Sequence, residues 1–318
     1  MMDAAELDLV RSSLRHLLTT APPADLPHQL IEAGWRELIA DDPNAVTEAL
    51  FTEQGAAHVS GPALELVMLD ATDVEIDPTN VALVLPPLRR GVTVTATRID
   101  NNHVSVDGLL LAGADRAAHL VVTDGSTLWS VPMAACTATA VGGFDPALGL
   151  TRVHANGVDA VVLSENVDWA GAVAAGRRAL SCEMIAAARH WLTETVAYVT
   201  ARVQYRRPIG SFQSVQHRLA DAHIALSAAT DAVVTAFEEH DAWTALLVKA
   251  LAGRSSTLAI ANCFQVTGGI AFTAEHDLHH AIERIRLLDA LLGGHEELTW
   301  TVGERILADP SVPRLPRL

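Results

Sequence analysis

Lysine is nearly absent from this sequence: of its 22 basic residues only Lys249 is a lysine. The arginine bias follows genome composition, and no function is read from it. Basic residues as a whole are scarce, 22 against 38 acidic ones, for a formal charge of −16. A surface that negative repels phosphate backbones and anionic headgroups, which excludes nucleic acid or a membrane surface as the main partner. An anionic ligand would need a local arginine site. Cysteines are few and odd in number; Cys136, Cys182 and Cys263 lie far apart in apolar surroundings. That excludes a disulfide framework and a zinc site, and leaves buried thiols in a reducing compartment as the expectation. No uninterrupted apolar run reaches the ~18 residues of a membrane span, and Met1–Thr20 carries acidic residues early, without signal-peptide order. A cytoplasmic location is the expectation. What the chain does have is apolar residues, 50% of 318, with 19% charged. Such a composition buries enough surface to fold, in two units or in one large helical domain with an insertion.

Periodicity divides the chain into three zones. Through residue 69 apolar residues recur at helical spacing, as in Leu7, Val10, Leu14, Leu17 and then Leu30, Ile31, Trp35, Leu38, Ile39, with Ala21-Pro22-Pro23 between the two sets. Residues 70–164 read instead as short β-branched runs: Val81–Leu85, Val92–Thr97, Val104–Val106, His119–Val122, Leu128–Val131 and Val158–Leu163. Asp77-Pro78-Thr79-Asn80, Asp100-Asn101-Asn102 and Asp124-Gly125-Ser126 supply the turns, so a small antiparallel unit is expected. Residues 165–318 return to helical pattern in three long stretches, Trp169–Tyr205, Ser214–Glu239 and Ala242–Val266, bounded by Arg207-Pro208-Ile209-Gly210 and Gly268-Gly269. Val215, Leu219, Leu226, Val233 and Phe237 form the inward stripe of the second stretch, leaving Arg218, Asp221 and Asp231 outside. The fold class expected is α+β and mainly helical: an N-terminal helical domain (1–69), a barrel-like middle β domain (70–164) and a bundle of long helices (165–318).

Two segments carry chemistry. The first is Tyr198-Val-Thr-Ala-Arg202-Val-Gln-Tyr205-Arg-Arg-Pro208-Ile-Gly210-Ser-Phe212-Gln213-Ser-Val-Gln216-His217-Arg218-Leu-Ala220-Asp221. The second is Gln265-Val-Thr-Gly268-Gly269-Ile-Ala-Phe272-Thr273-Ala-Glu275-His276. A guanidinium at a helix end offers a rigid fork of donors to a diphosphate. Amides such as Gln213 and Gln265 offer donors and acceptors, and a glycine pair lets a backbone approach a ligand closely. In order and separation the two segments resemble the signatures of the acyl-CoA dehydrogenases, Y-x-x-x-R-x-Q-F-G-x-P-I-x-x-F-Q-x-x-x-H-x-L-A-D and Q-x-x-G-G-x-G-F-T-x-E. The resemblance is strong over residues 176–300 and weaker before them. It implies that Arg202, Tyr205, Gln213, Gln265, Gly268 and Gly269 contact the ADP half of an FAD held mainly by a neighbouring subunit.

The resemblance breaks at the reacting centre. The family's reaction needs a carboxylate within reach of the proton α to the thioester. Aligned from Arg284, the usual base position is Gly293, and the other known position, 26 residues before Arg202, is Gly176. Glu183 and Glu296 are the fallback carboxylates, with Glu297 beside the latter and Asp289 four residues before Gly293. The flavin-binding T-x-P-x-x-G-S-D loop is missing too; Val84-Leu85-Pro86-Pro87-Leu88 stands in its neighbourhood. The string Glu275-His276-Asp277 with His279 and His280 has metal-ligand residue types but no H-E-x-x-H order, and reads as a packing or subunit-contact segment without metal. The chain is thus similar to the short, non-catalytic-type subunits of actinobacterial heterotetrameric enzymes that dehydrogenate steroid-derived CoA thioesters. That resemblance implies a full-length acyl-CoA dehydrogenase partner in an α2β2 complex, an acyl-CoA substrate with a bulky acyl group, and an acceptor of the electron-transfer flavoprotein kind. Two alternatives stay open: a catalytically silent scaffold with the same fold, and a self-sufficient homotetramer with Glu183 or Glu296 as base.

Overall fold

The structure is a computed structural model describing residues 2–309 except Asn101, Phe144 and Ala274. Asn101 of the expected turn, Ala274 of the second motif, Met1 and the last nine positions of the C-terminal zone therefore lie outside the described residues.

Helices come first, because the apolar spacing is helical and the breaks are punctuated. Helix α1 (Ala4–Thr20) opens on a capping box, in which Asp3 accepts from the N–H groups of Ala5 and Glu6 while the Glu6 carboxylate accepts from the N–H of Asp3. It ends at the expected Ala-Pro-Pro break. Helices α2 (Leu26–Glu32), α3 (Trp35–Asp41), α4 (Pro43–Ala57) and α5 (Ala63–Asp70) follow, with Gly34 at φ +87° making the turn into α3.

The middle segment builds β1 (Val81–Leu83), β2 (Ala96–Arg98), β3 (His103–Leu110), β4 (His119–Thr123), β5 (Thr127–Pro132), β6 (Thr137–Ala140), β7 (Thr151–Asp159) and β8 (Val161–Glu165). They form two four-stranded sheets, ordered β1-β4-β5-β8 and β2-β3-β7-β6, closed over Val104, Leu110, Leu120, Trp129, Val131 and Val153. One pair departs from the antiparallel expectation. Strand β1 lies parallel to β4, with Val81 opposite His119, because β2 and β3 intervene and the chain re-enters the first sheet in the same direction. The run Val92–Thr97 also yields only the short β2, since the backbone before it is spent on the bundle: Thr93 O accepts from Trp169 Nε1 at 2.6 Å, and Gly91 N–H donates to Glu297 at 2.6 Å.

The rest is a bundle of α6 (Trp169–Ala201), α7 (Gln213–Glu239), α8 (Ala242–Thr267), α9 (Leu278–Ala290) and α10 (His295–Ala308), with a two-residue hairpin, β9 (Val203–Gln204) and β10 (Arg207–Pro208), between α6 and α7. Helix α6 is buried on nearly every face over residues 172–188 and packs against α4, α5, α7, α8 and α9. Its alanines and Gly176 allow those close approaches. The α7 stripe is as the spacing predicts: Leu226, Val233 and Phe237 are buried, and Arg218, Asp221 and Asp231 exposed. Helix α6 stops earlier than its sequence pattern suggests, at Ala201, because Tyr205 and Arg206 take left-handed φ values of 52° and 65° to make the hairpin. The first five helices share one core with the bundle, while the middle sheets keep a second. Cys182 and Cys263 are buried, whereas Cys136 is only half-buried, contrary to the expectation for all three; none is paired. No described helix is long and apolar enough to cross a membrane.

Candidate functional site

The two sequence motifs meet at one end of the bundle. Because α7 runs antiparallel to α6 and α8 antiparallel to α7, the end of α6, the start of α7 and the end of α8 lie together. A pair of hydrogen bonds clasps the last two: Arg218 Nη1 donates to Asn262 Oδ1 at 3.2 Å, and Asn262 Nδ2 to Arg218 O at 3.1 Å. Arg202 caps α6 in extended conformation and holds the hairpin through its carbonyl, which accepts from Ile209 N–H at 2.8 Å. Its side chain is exposed and makes no hydrogen bond or ion pair among the described residues. Gln213, the first residue of α7, and Gln265, near the end of α8, are exposed too. Gly268 turns the chain at φ +74°, and a Cβ on Gly268 or on Gly269 would meet nothing within 4 Å. Tyr205 is 87% exposed, edge-on to Phe212. A guanidinium, two amides and an open glycine backbone suit the phosphate and ribose side of a dinucleotide; the three side chains have no hydrogen-bond partner within the described chain, while the Gly268 N–H closes α8 onto Phe264 O.

The opposite end holds the family's two base positions, and both are filled. A Cβ on Gly176 would come within 2.6 Å of Leu292 Cδ1 and 2.9 Å of Met68 Sδ. Gly293, at φ +102°, has Leu298 Cδ2 at 2.8 Å from where its Cβ would stand. The turn between α9 and α10 is held by Arg177 Nε donating to Leu292 O (3.0 Å) and by Lys249 Nζ donating to Asp289 O (2.7 Å) and Gly293 O (3.1 Å). Lys249, fully buried, is lowered to about 8 by burial, against the pull of Asp289. A 350 Å³ cleft, lined by Arg89, Arg90, Val92, Arg177 and Glu297 among others, is what remains between this turn and the middle unit.

The fallback carboxylates are placed elsewhere. Glu183 is 2% exposed; its Oε2 accepts from Gln54 Nε2 at 3.0 Å and its Oε1 lies 3.8 Å from Arg284 Nη1. Burial pushes it up to about 7, opposed by Arg284 and Gln54. Seven residues from Gly176 on the same face of α6, it is about 10 Å further along the axis. Glu296 is exposed, and Glu297 is occupied with Gly91 N–H. Arg284 is itself taken up by Asp145, by Val59 O at 2.9 Å and by Ser60 Oγ at 2.7 Å. His276 lines a 760 Å³ cavity with His58, His190 and Trp191, while His279 Nδ1 contacts His276 O at 2.8 Å. Among the described residues no group of three or more His, Cys, Asp or Glu side chains is placed to hold a metal ion.

Sequence reading missed Lys249 and the Arg284–Asp145–Glu183–Gln54 cluster. The lone lysine inside an apolar helical stretch was the available signal. The cluster had none, since its members are separated by up to 230 positions.

Known proteins share the fold and much of the sequence. The sequence profile of the acyl-CoA dehydrogenase C-terminal domain matches residues 169–307. The chain is 30% identical over 266 residues to the acyl-CoA dehydrogenase IpdE2 of Mycobacterium tuberculosis, covering 81% of this chain and 76% of that protein. It is 31% identical to the acyl-CoA dehydrogenase FadE34 of the same organism, over 77% of this chain but 36% of that one. In fold it is similar to a chain of the Tcur3481-Tcur3483 steroid ACAD G363A variant (TM-score 0.78, 20% identity, 96% and 98% of the two chains). It is also similar to one from the ChsE4-ChsE5 complex of Mycobacterium tuberculosis (TM-score 0.73, 18% identity, 100% and 99%). With the bundle, the two motifs and a relative matched over three-quarters of its length, the chain belongs to the acyl-CoA dehydrogenase family.

Proposed function

We propose that this chain is one subunit of an FAD-dependent acyl-CoA dehydrogenase, an oxidoreductase acting on the CH–CH bond of an acyl-CoA thioester, and that it completes the flavin site of a full-length partner without supplying the base. One contrast carries the reading: both base positions are glycines bordered by the side chains of Leu292, Met68 and Leu298, while the side chains of Arg202, Gln213 and Gln265 stand exposed and unpartnered at the other end, beside the open turn at Gly268-Gly269. FAD, when bound, accepts the hydride leaving the β carbon. The residues of this chain would orient it: Arg202 on the diphosphate, the two glutamines and the glycine backbone on the adenosine side, with Tyr205 at the rim. No side chain here is placed to take the α proton at either family position, so that step falls to the partner. The Tcur3481-Tcur3483 steroid ACAD and the ChsE4-ChsE5 complex, similar in fold, support a partner subunit of a different kind, for which α2β2 is the proposed stoichiometry, and IpdE2 and FadE34 support a chain of the kind found in mycobacteria. The steroid ACAD among the similar folds supports a bulky, steroid-derived acyl group. An electron-transfer flavoprotein-type acceptor and a cytoplasmic setting complete the proposal.

A second reading has one observation in its favour: Glu183 is a buried carboxylate with one oxygen left without a hydrogen-bond partner, and burial raises its affinity for a proton, as a general base requires. The test separates the two. Purified with a full-length partner, the complex should be α2β2 with two FAD, and the lone chain should aggregate or hold little flavin. In the complex, Glu183→Gln should leave turnover within about threefold, where loss of a true base costs roughly 10²–10⁴-fold. A stable homotetramer of this chain with four FAD and dehydrogenase activity, or a hundredfold loss on Glu183→Gln with folding intact, overturns the proposal.

A further inference from the structure

Arg178 is a buried cation without a counter-ion. It is 8% exposed, its buried Nε and Nη1 have no hydrogen-bond partner while Nη2 keeps contact with solvent, and it makes no ion pair within 4 Å among the described residues. Its guanidinium carbon lies 5.7 Å from the ring centroid of Phe237. A guanidinium taken out of water is normally met by a carboxylate or a set of acceptors, since burying a charge without compensation is among the largest penalties a fold can carry. The other buried arginine among the described residues, Arg284, shows the norm, with Asp145, Val59 O and Ser60 around it.

Arg178 borders a cavity of 410 Å³ between α4, α5, α6 and the end of α7. Its walls are of two kinds. Ile39, Pro43, Val67, Ala175 and Phe237 are apolar, while Arg178 and Thr47 bring polar groups from α6 and α4; Asn44 and His240 also line it, but Asn44 Nδ2 is engaged with Phe237 O at 3.1 Å and lies 3.0 Å from His240 Nε2. The two carboxylates that reach the cavity are accounted for: Asp70 accepts from Trp35 Nε1 at 2.7 Å, and Asp73 lies exposed at the rim. Asp241, at the start of α8, attracts Arg178 only from beyond ion-pair distance. The cavity is separate from the filled base position, because Arg178 comes two residues after Gly176 and therefore lies about 200° round the helix. Its volume is that of an ordinary small-molecule site.

We propose that this cavity binds a small amphipathic carboxylate, its acid group held by the Arg178 guanidinium and its apolar body against Phe237, Val67 and Ile39. The assignment is independent of the flavin reading. Bidentate geometry makes a planar carboxylate the natural partner of the free fork, and the apolar walls exclude a bare inorganic anion as the best fit.

Calorimetric titration with 2-naphthaleneacetate, its neutral amide and inorganic phosphate, on the lone chain and on the complex with its partner, tests this. The acid should bind one-to-one and at least about tenfold more tightly than the amide or phosphate, as one charge-assisted contact requires. Arg178→Gln should abolish that preference while leaving the amide within about twofold, and Arg178→Lys should restore part of it. Without ligand, Arg178→Gln should melt no lower than the parent, because it removes an unpaired buried charge; a structural arginine would show the reverse. No saturable binding of the acid, equal affinity for acid and amide, tighter binding of phosphate, or indifference to Arg178→Gln overturns the proposal. Binding to the lone chain that disappears in the complex also overturns it, and assigns the carboxylate to the partner subunit.

Discussion

At the residue scale, two side chains have consequences that can be measured singly. Arg202 is exposed and unpaired at the end of α6. If it grips flavin diphosphate, Arg202→Ala should weaken FAD retention in the assembled complex about tenfold or more, since a charge-assisted contact is worth about 1.5–3 kcal/mol. Spectrophotometric flavin titration of the apo-complex reads this directly, and an unchanged affinity removes Arg202 from the site. Glu65 concerns stability. It is 2% exposed in α5; one oxygen accepts from Leu111 N–H at 3.1 Å and the other has no partner. Burial raises it to about 8. Between pH 4.5 and 8 the native state therefore keeps a proton that the unfolded chain has lost, so stability falls as pH rises through that window, by at most about 1.4 kcal/mol per pH unit. Glu65→Gln removes the titration. Its melting temperature should rise relative to the parent as the pH goes from 5 to 8, and a difference that stays flat contradicts the assignment.

At the scale of elements, the bundle shows what a base restored at either position would have to displace. Gly176 sits where α6 meets α5 and the α9–α10 turn, and Leu292 and Met68 already fill the volume a side chain would need. Gly176→Glu should destabilise the fold by roughly the 1–3 kcal/mol of an overpacked core, or more with a carboxylate to bury, and should add no activity. Thermal unfolding and an activity assay on the same variant check both halves; a stable variant with new dehydrogenase turnover would show that the site is merely unequipped. The same turn explains the lone lysine. Three residues converge on it, Lys249, Arg177 and His295, the last with its Nδ1 2.7 Å from Asp289 Oδ2. The segment to which the family resemblance assigns the base is here pinned by packing.

At the scale of the whole molecule, apolar side chains are exposed at the end that bears the cofactor motifs. Phe272 is 78% exposed, Tyr205 87% and Val203 54%. Their positions beside Gly268-Gly269 and Arg202 suit burial against a second subunit. Replacing Phe272 by Ser should make the lone chain more soluble and weaken assembly with the partner, seen as dissociation of the complex on dilution in sedimentation runs. A complex that withstands dilution as the parent does would place the interface elsewhere. Charge works in the same direction, because a chain at −16 gains little from meeting its own copy except through apolar contacts.

What the sequence determined by itself was local and periodic: the helix breaks at Ala21-Pro22-Pro23 and after Thr267, the inward stripe of α7, the helix–strand–helix order and the two motifs that carry the family resemblance. Each depends on residues within a turn or two of one another, where spacing and turn chemistry decide the backbone. Tertiary structure decided the rest. Whether Gly176 is an open slot or a filled one depends on Met68 and Leu292, over a hundred residues away in either direction. That Glu183 is engaged by Gln54 and Arg284 and raised to about 7, and that β1 lies parallel to β4, are likewise set by partners remote in the chain. Arg177 and Arg178 are adjacent and identical in type, yet one bonds the carbonyl of Leu292 while the other is buried without a partner. No local pattern distinguishes them, because a one-residue step round a helix turns a side chain by about 100° into a different environment.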